Sequence, residues 1–304
     1  MKSKITEPSK LEFKVIREDL DRLIEALSNL LEREFPKKLT PIPGLQPFLL
    51  VAILTSKNIY QGIRYLAADF PKDPSRKLEF GLVISPLVRL LSDILFTIVF
   101  MREDLPPRVD WYHRGGWREL KEEYNRYRSE YGALPEWEIW LKDYEDLLER
   151  QRITFGISEE DAANPKKLHY WPIPSRMLKH KDLSPETQKF LQYLNDWIYR
   201  ELSADSHVSA AGIMRHHGQL LREKGEEKQK ILFKLKSDSV FTAITLIVAI
   251  CTEIDDMCHY GREEKLSYLW RIIVEYWGEA KDLFERRYRE MLQKIDGKKS
   301  RAQT

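Results

Sequence analysis

This sequence contains few cysteines and carries little net charge, and both features limit the classes of protein to which it can belong. Only two cysteines occur, Cys251 and Cys258. Their spacing along one predicted helix separates the α-carbons by about 10 Å, which is too far for a disulfide and favours a reducing compartment. The formal net charge is only +2, with 50 basic residues interspersed among 48 acidic ones. The overall field therefore argues neither for nor against a polyanionic partner.

Strand patterns, glycine-rich loops and a secretory signal are also missing. No segment alternates convincingly at period two and no glycine-rich phosphate loop occurs, which excludes a nucleotide-binding α/β fold. No apolar stretch follows the lysines near Met1, so no secretory signal is visible and a cytoplasmic location is expected. At 42% hydrophobic residues, the chain can still bury a sizeable core.

What the sequence does contain is helical periodicity, which predicts an all-α helical bundle. The predicted helices cover residues 10–35, 47–68, 86–101, 117–131, 135–152, 184–206, 237–260 and 263–295, with a short piece near 210–221. We expect Ser85 to cap the third helix and Pro86 to occupy its first turn. We also expect Gly115-Gly116 to interrupt the middle of the chain.

Two apolar stretches, residues 80–101 and 240–251, have to be tested as membrane spans. The first contains Arg89 and Asp93, and the second is only about twelve residues long, which is short for a bilayer. Both are therefore predicted to be core helices, and no membrane partner is expected.

The distribution of proline, tryptophan and apolar residues along the chain predicts four segments. Residues 1–104 and 184–295 are predicted to form the bundle, residues 105–183 a Pro- and Trp-rich helical insertion or lid, and residues 296–304 a flexible tail. We expect the tryptophans of the insertion to pack it onto the core rather than to stack on bases. These are Trp111, Trp117, Trp137, Trp140 and Trp171.

Arg200 and His207 form the leading candidate site. A separation of seven residues puts both side chains on one helix face, two turns apart. The histidine could draw the proton from a ribose 2′-hydroxyl while the arginine stabilises charge on the phosphate, which would be metal-independent RNA cleavage. Asp205 or Glu201 could orient or tune the imidazole, and Tyr199 could add a hydrogen bond. The alternative is a surface polar cluster near a helix end.

Arg89 and Asp93 are predicted to support that site from the most apolar helix. Being four residues apart, they can pair along one helix face. An ion pair is costly to desolvate there, so it either fixes helix register or orients the polar groups of the 199–207 segment.

A metal site is the competing hypothesis. Glu253, Asp256 and His259 could converge on an ion, and Asp110 with His113 repeats the same spacing. A di-iron bundle needs carboxylates from four helices, so neither a metal nor another cofactor is expected. The cluster 215–217 is better interpreted as solvated surface or a phosphate grip than as a set of metal ligands.

Two segments resemble known proteins. The sequence resembles a widespread bacterial family of uncharacterised helical proteins. The resemblance lies in Arg89 to Asp93 of the apolar helix and in a stretch far downstream with Tyr199, Ser203 and His207. The Arg-x6-His arrangement is similar to the signature of the HEPN superfamily, helical bundles that include RNA-cleaving toxins and phage-defence nucleases. Glu201 stands where that signature more often has Asn, Asp or His. The resemblance implies that Arg200 and His207 are catalytic and that the site is assembled across a homodimer.

Together these observations favour a metal-independent endoribonuclease of toxin or phage-defence type, with RNA as its partner. The alternative is a non-catalytic helical module that binds a partner protein. A nuclease needs Arg200 and His207 in a shared cleft, whereas a binding module needs an exposed apolar patch.

Overall fold

Helices make up all the regular secondary structure of the residues that the computed structural model describes, which are 10–68, 74–199 and 225–292. No β-strand occurs within those ranges, which confirms the all-α prediction. The long helices are α1 (Lys10–Arg33), α2 (Leu45–Ala68), α3 (Pro74–Arg102), α4 (Leu105–Tyr131) and α5 (Glu138–Thr154). Short helices α6 (Glu159–Ala163), α7 (Pro174–Met177) and α8 (Pro185–Leu194) follow, and then α9 (Glu226–Cys258), α10 (Glu263–Tyr276) and α11 (Gly278–Leu283).

Helices α3 and α9 form the centre of the bundle, and α2 packs against both of them. Their apolar residues recur on most helix faces, so each helix can be stable only where neighbours surround it. Leu91, Leu95 and Phe96 of α3 are fully buried, as are Ile247 and Ile250 of α9. Burial of each such side chain contributes roughly 1.5–3 kcal/mol, and this is what positions α3 and its polar residues.

Two helical stretches, Ile84–Arg102 and Lys236–Cys258, are long and apolar enough to cross a membrane by length and composition. Within the protein, 61% and 78% of these stretches are buried. The burial follows from the central position of α3 and α9, which pack on each other. That membranes are not a partner stays a prediction.

The middle of the chain has an apolar cluster of its own. Trp117 and Tyr124 of α4 pack with Leu141 and Leu148 of α5. Trp117 also donates a hydrogen bond from Nε1 to the Leu148 carbonyl oxygen at 2.9 Å. By contrast, Trp111 and Trp171 pack against the main core, as expected. Trp117, Trp137 and Trp140 do not, because they pack within the middle segment itself.

The expected start of the third helix is wrong. Helix α3 begins at Pro74 and runs through Pro86, which lies in its interior. A proline at the first helical position sacrifices no hydrogen bond, which suits Pro74 to the start. At Pro86 the helix loses one N–H donor, yet the burial of the apolar residues that follow outweighs that loss.

Two further boundaries differ from the predictions. Helix α4 continues through Gly115 and Gly116, because the weak helix propensity of two glycines costs less than the packing of the long helix contributes. Helix α8 ends at Leu194 and passes into a π-helical turn, Asn195–Tyr199, a widened geometry that often occurs at functional sites.

The helices at the C-terminal end also differ. Helix α9 starts at Glu226 rather than near residue 237. The predicted helix 263–295 is interrupted at Trp277, whose backbone is extended and whose buried ring packs against Trp197 and Phe241. The aromatic packing explains why the chain bends at this residue.

Both cysteines are buried and free.

Candidate functional site

A cavity of about 700 Å³ lies where α2, α3 and α4 meet the chain between α6 and α8. Phe48 lines it from α2, Arg89 and Asp93 from α3, His113 from α4, and Trp171 from the connecting segment. A cavity of this size, with mostly apolar walls and a few polar groups, is typical of small-ligand sites. It is therefore the candidate site within the described residues.

Three of the residues predicted as supporting members meet at this cavity. Arg89 and Asp93 line it from α3, and Tyr199 lines it from the π-helical turn. The Arg89 Nη2 donates to the Tyr199 hydroxyl at 3.3 Å, and the guanidinium carbon lies 5.2 Å from the centre of the Tyr199 ring. A hydrogen bond and a cation–π contact between the same two side chains fix their relative orientation. The contact joins α3 to the start of the 199–207 segment. The site roles given to Arg89, Asp93 and Tyr199 stay predictions.

The other predicted members cannot be placed. Arg200, Glu201, Asp205 and His207 lie outside the described residues, so the arrangement of the Arg-x6-His pair stays a prediction. Tyr199 is the last described residue before them and lines the cavity. Arg200 follows it directly in the chain, which connects the predicted pair to this cavity by sequence.

The expected ion pair of Arg89 and Asp93 is loose. Arg89 Nε lies 3.9 Å from Asp93 Oδ2, which is long for a hydrogen bond between ionised partners. Burial raises the pKa of Asp93, and the positive charge of Arg89 lowers it by less. The Asp93 carboxyl group lines the cavity, and its ionised form is less favoured there than in water.

The sequence marks His113 only as a possible metal ligand, whereas the structure places it in the cavity wall. Its Nε2 is 3.2 Å from the Gly44 carbonyl oxygen, and its ring stacks on Phe155 with the centroids 4.1 Å apart. A carbonyl oxygen can only accept, so Nε2 donates, and Nδ1 of the neutral ring keeps the lone pair. Burial lowers the pKa of His113 more than the Gly44 bond and Asp110 raise it, which favours the neutral form.

Gly44 is essential to that arrangement. Its φ of +81° is accessible to glycine at little cost. A Cβ built on Gly44 would lie 2.2 Å from His113 Nε2, inside van der Waals contact. The turn before α2 and the histidine of α4 can therefore meet only because this residue has no side chain.

The segment that forms the remaining wall is attached to α4. Trp111 Nε1 lies 3.2 Å from the His169 carbonyl oxygen and 3.0 Å from that of Tyr170. A Cβ on Gly115 would lie 2.7 Å from the Trp171 backbone nitrogen, so the segment passes too close for any side chain. Trp171 packs edge to face against Tyr112 at 5.2 Å. These contacts hold the Trp171 ring in the cavity wall.

The carboxylates predicted as competing metal ligands form ion pairs with arginines instead. Glu253 accepts from Arg102 Nη1 at 2.9 Å and from Arg287 Nη2 at 3.1 Å, and Asp256 also pairs with Arg102. His259 ends α9 in the left-handed conformation. No group of three metal-ligating side chains occurs among the described residues. The Asp110–His113 pair does lie on a helix, α4, but Asp110 binds Arg114 Nε at 2.9 Å.

Comparison of the chain with protein-family models, curated proteins and solved structures finds no match in any of the three.

Proposed function

We propose that the protein is a metal-independent endoribonuclease whose RNA strand enters the cavity beside Tyr199. The observation that supports this most is the pairing of Arg89 with Tyr199 at the cavity wall, directly before Arg200 in the chain. The aromatic side chains of the cavity wall suit an unpaired base. The site thus offers a stacking surface for a base beside the residue that precedes Arg200.

The proposed reaction uses Arg200 and His207. His207 removes the proton from a ribose 2′-hydroxyl, and the oxygen attacks the adjacent phosphorus. The bond from phosphorus to the 5′-oxygen breaks, and that oxygen leaves with a proton from water, while the protonated His207 returns its proton to solvent. Arg200 stabilises the negative charge that builds on the phosphate. The products are a 2′,3′-cyclic phosphate and a free 5′-hydroxyl, and no step needs a metal.

Arg89 and Asp93 act as positioning residues in this proposal. Arg89 holds the Tyr199 ring and hydroxyl, and so orients the chain that leads into Arg200. Asp93 lies within 3.9 Å of the same guanidinium and partly balances its charge. Loss of either side chain should therefore reduce kcat for RNA cleavage, with a smaller effect on RNA binding.

The test compares wild type with His207→Ala on total RNA and on labelled oligonucleotides, with EDTA present throughout. His169→Ala is the matched control, because it removes an exposed imidazole that does not line the cavity. Cleavage by wild type and by His169→Ala, but not by His207→Ala, would support the proposal. Circular dichroism first establishes that all three proteins fold equally. Absence of cleavage by folded wild type would count against the nuclease.

A second candidate function, a non-catalytic module that binds a partner protein, is favoured by one surface. Ile139, Trp140, Leu147 and Ile153 of α5 are exposed by 76%, 43%, 37% and 66%. At 100° per residue they fall within an arc of roughly 140° on one side of the helix. Exposed apolar side chains on one face are a feature of association surfaces.

The occupant proposed for this face is a second copy of the chain, in keeping with the expected homodimer. Substituting both Ile139 and Ile153 by Asp should convert a dimer to a monomer in analytical ultracentrifugation. A wild type that dimerises through this face and cleaves no RNA would favour the module over the nuclease. A dimer that survives both substitutions would exclude the face.

A further inference from the structure

Gly116 leaves the α4 wall of the cavity bare, and packing does not require a glycine there. A Cβ added to Gly116 would meet no atom within 4 Å, in contrast to its neighbour Gly115. Gly116 lines the cavity in the middle of α4. A glycine in a helix interior costs about 1 kcal/mol relative to alanine, so this residue weakens the helix without relieving a clash. Its structural effect is to keep space open in the cavity.

The space has aromatic and apolar surroundings. Phe48 and Tyr112 line it with their ring centroids 5.0 Å apart, and Trp171 packs edge to face on Tyr112. Phe155 lines it with its ring stacked on His113. A bare helix surface among aromatic side chains is suited to a flat ring, which gains contact on its faces.

Two polar side chains of α4 at the cavity, His113 and Glu119, offer hydrogen-bond acceptors. Nδ1 of His113 carries the lone pair, because Nε2 donates to the Gly44 carbonyl oxygen. Glu119 lies six residues after His113 on α4 and lines the same cavity. Its side chain is exposed to solvent. When ionised, its carboxylate accepts through two oxygens. Gly116 lies halfway between these two acceptors in the sequence, and all three residues line the cavity.

Among the four RNA bases, guanine has the N–H donors that fit these two acceptor groups best. Guanine presents a ring N–H and an amino group side by side, so a carboxylate can accept from both with its two oxygens. The second amino hydrogen remains for another acceptor. Adenine and cytosine carry an amino group beside an acceptor nitrogen, and uracil carries one N–H between two carbonyl oxygens. Only guanine carries three N–H donors, one for each acceptor atom: the two carboxylate oxygens of Glu119 and Nδ1 of His113.

We propose that the cavity is a guanine-binding subsite. The base lies on the bare α4 surface at Gly116, Glu119 accepts from its ring N–H and amino group, and His113 Nδ1 accepts the remaining amino hydrogen. The inference deepens the proposed ribonuclease and rests on it for the source of the guanine, an unpaired residue of an RNA strand. It assigns to this site a base preference at the position of cleavage.

Binding of 5′-GMP, 5′-AMP, 5′-CMP and 5′-UMP by isothermal titration calorimetry tests the subsite without requiring cleavage. Wild type should bind GMP most tightly. Gly116→Leu fills the open space and should weaken GMP binding by at least about tenfold, the effect of a few methylene groups placed in a ligand's volume. Gly62→Leu is the matched control, because Gly62 is also helical with no atom within 4 Å of a built Cβ, and it does not line the cavity.

A second variant tests the base preference and does not depend on how Gly116→Leu folds. Glu119→Gln replaces one acceptor oxygen by an amide donor and should reduce the preference for GMP over AMP. Equal binding of the four nucleotides, no binding by folded wild type, or full GMP affinity in both variants would each overturn the subsite. Loss of GMP binding in Gly116→Leu but not in Gly62→Leu would support it.

The failure of the subsite and the failure of the nuclease give different results. Cleavage of RNA that depends on His207 but shows no preference for guanine, with no GMP binding, would refute the subsite alone. Tight GMP binding that persists in His207→Ala, with no cleavage of RNA by wild type, would refute the nuclease and leave a guanine-binding protein.

Discussion

Replacing Glu253 by Gln should be one of the most destabilising conservative changes in this protein. The Glu253 side chain has no exposure to solvent, whereas those of Arg102 and Arg287 are 26% and 13% exposed. Its carboxylate balances two guanidiniums from two other segments of the bundle. Glutamine keeps the shape but removes the charge, and it turns an NH2 donor toward guanidinium donors.

The size of the effect follows from burial. Breaking a buried ion pair by removing one partner costs about 3–5 kcal/mol, because the remaining charge stays desolvated and uncompensated. The total stability of a folded domain is about 5–15 kcal/mol, so the variant should lose a large part of it. Urea denaturation monitored by tryptophan fluorescence should show a lower midpoint with an unchanged slope.

Glu285→Gln is the matched control. Glu285 pairs with Arg289 one helical turn away at 2.6 Å, and their side chains are 40% and 53% exposed. Exposed pairs of this kind contribute about 0–1 kcal/mol, so the control should unfold close to wild type. If Glu253→Gln lost no more stability than Glu285→Gln, the interpretation of Glu253 as a buried electrostatic anchor would be wrong.

The pH dependence gives a second readout for Glu253. Burial acts to raise the pKa of Glu253, but Arg287 and Arg102 outweigh it and hold the pKa below its usual value of 4.5. A carboxyl group with a depressed folded-state pKa contributes stability above that value, and the contribution is lost as the pH falls through the folded pKa. The difference in stability between wild type and Glu253→Gln should therefore be constant near neutral pH and shrink in acid below about 4.5.

Three further predictions concern the close approaches of glycines and the buried carboxylate of Asp255. Gly44→Ala should cost about 2 kcal/mol or more, because it combines a positive φ with a clash against His113. Gly156→Ala, at φ +60° in open space, is its control in urea unfolding and should cost about 1 kcal/mol. Gly115→Ala should destabilise the protein while Gly116→Ala stabilises it by about 1 kcal/mol, and equal effects in thermal unfolding would contradict the packing of residues 169–171 on α4. Burial raises the pKa of Asp255 to about 7, so its favourable effect on folding is present below 3.8 and is lost as the pH rises through 7. Asp255→Asn should therefore have a higher Tm than wild type at pH 8 and a similar one at pH 4, and a lower Tm at both would refute this.

Helical periodicity was sufficient to predict the all-α class, because each apolar stripe needs neighbouring helices to cover it. The boundaries were less predictable, since local propensity competes with packing. Pro86 and Gly115-Gly116 look like interruptions in the sequence, yet the chain stays helical through both. At Trp277 the opposite holds: periodicity continues but aromatic packing bends the chain.

The chemistry of individual residues could be proposed from the sequence alone. The conflict between a charged side chain and an apolar helix singled out Arg89 and Asp93, whereas the hydrogen bond from Arg89 to Tyr199 emerged only from the structure. A desolvated charge needs a partner wherever the fold provides one, so such residues stand out without coordinates.

Which residues share a cavity was decided only by the tertiary structure. His113, Gly116 and Glu119 have ordinary helical spacing, and nothing in their local sequence shows that Trp171 crosses beside them or that Gly44 approaches the imidazole. Glu253 and Asp256 likewise have the spacing of metal ligands, and the guanidiniums that bind them lie far away in the sequence. Periodicity records which face of a helix is buried, whereas a binding site depends on distances between helices, and long-range packing alone sets those.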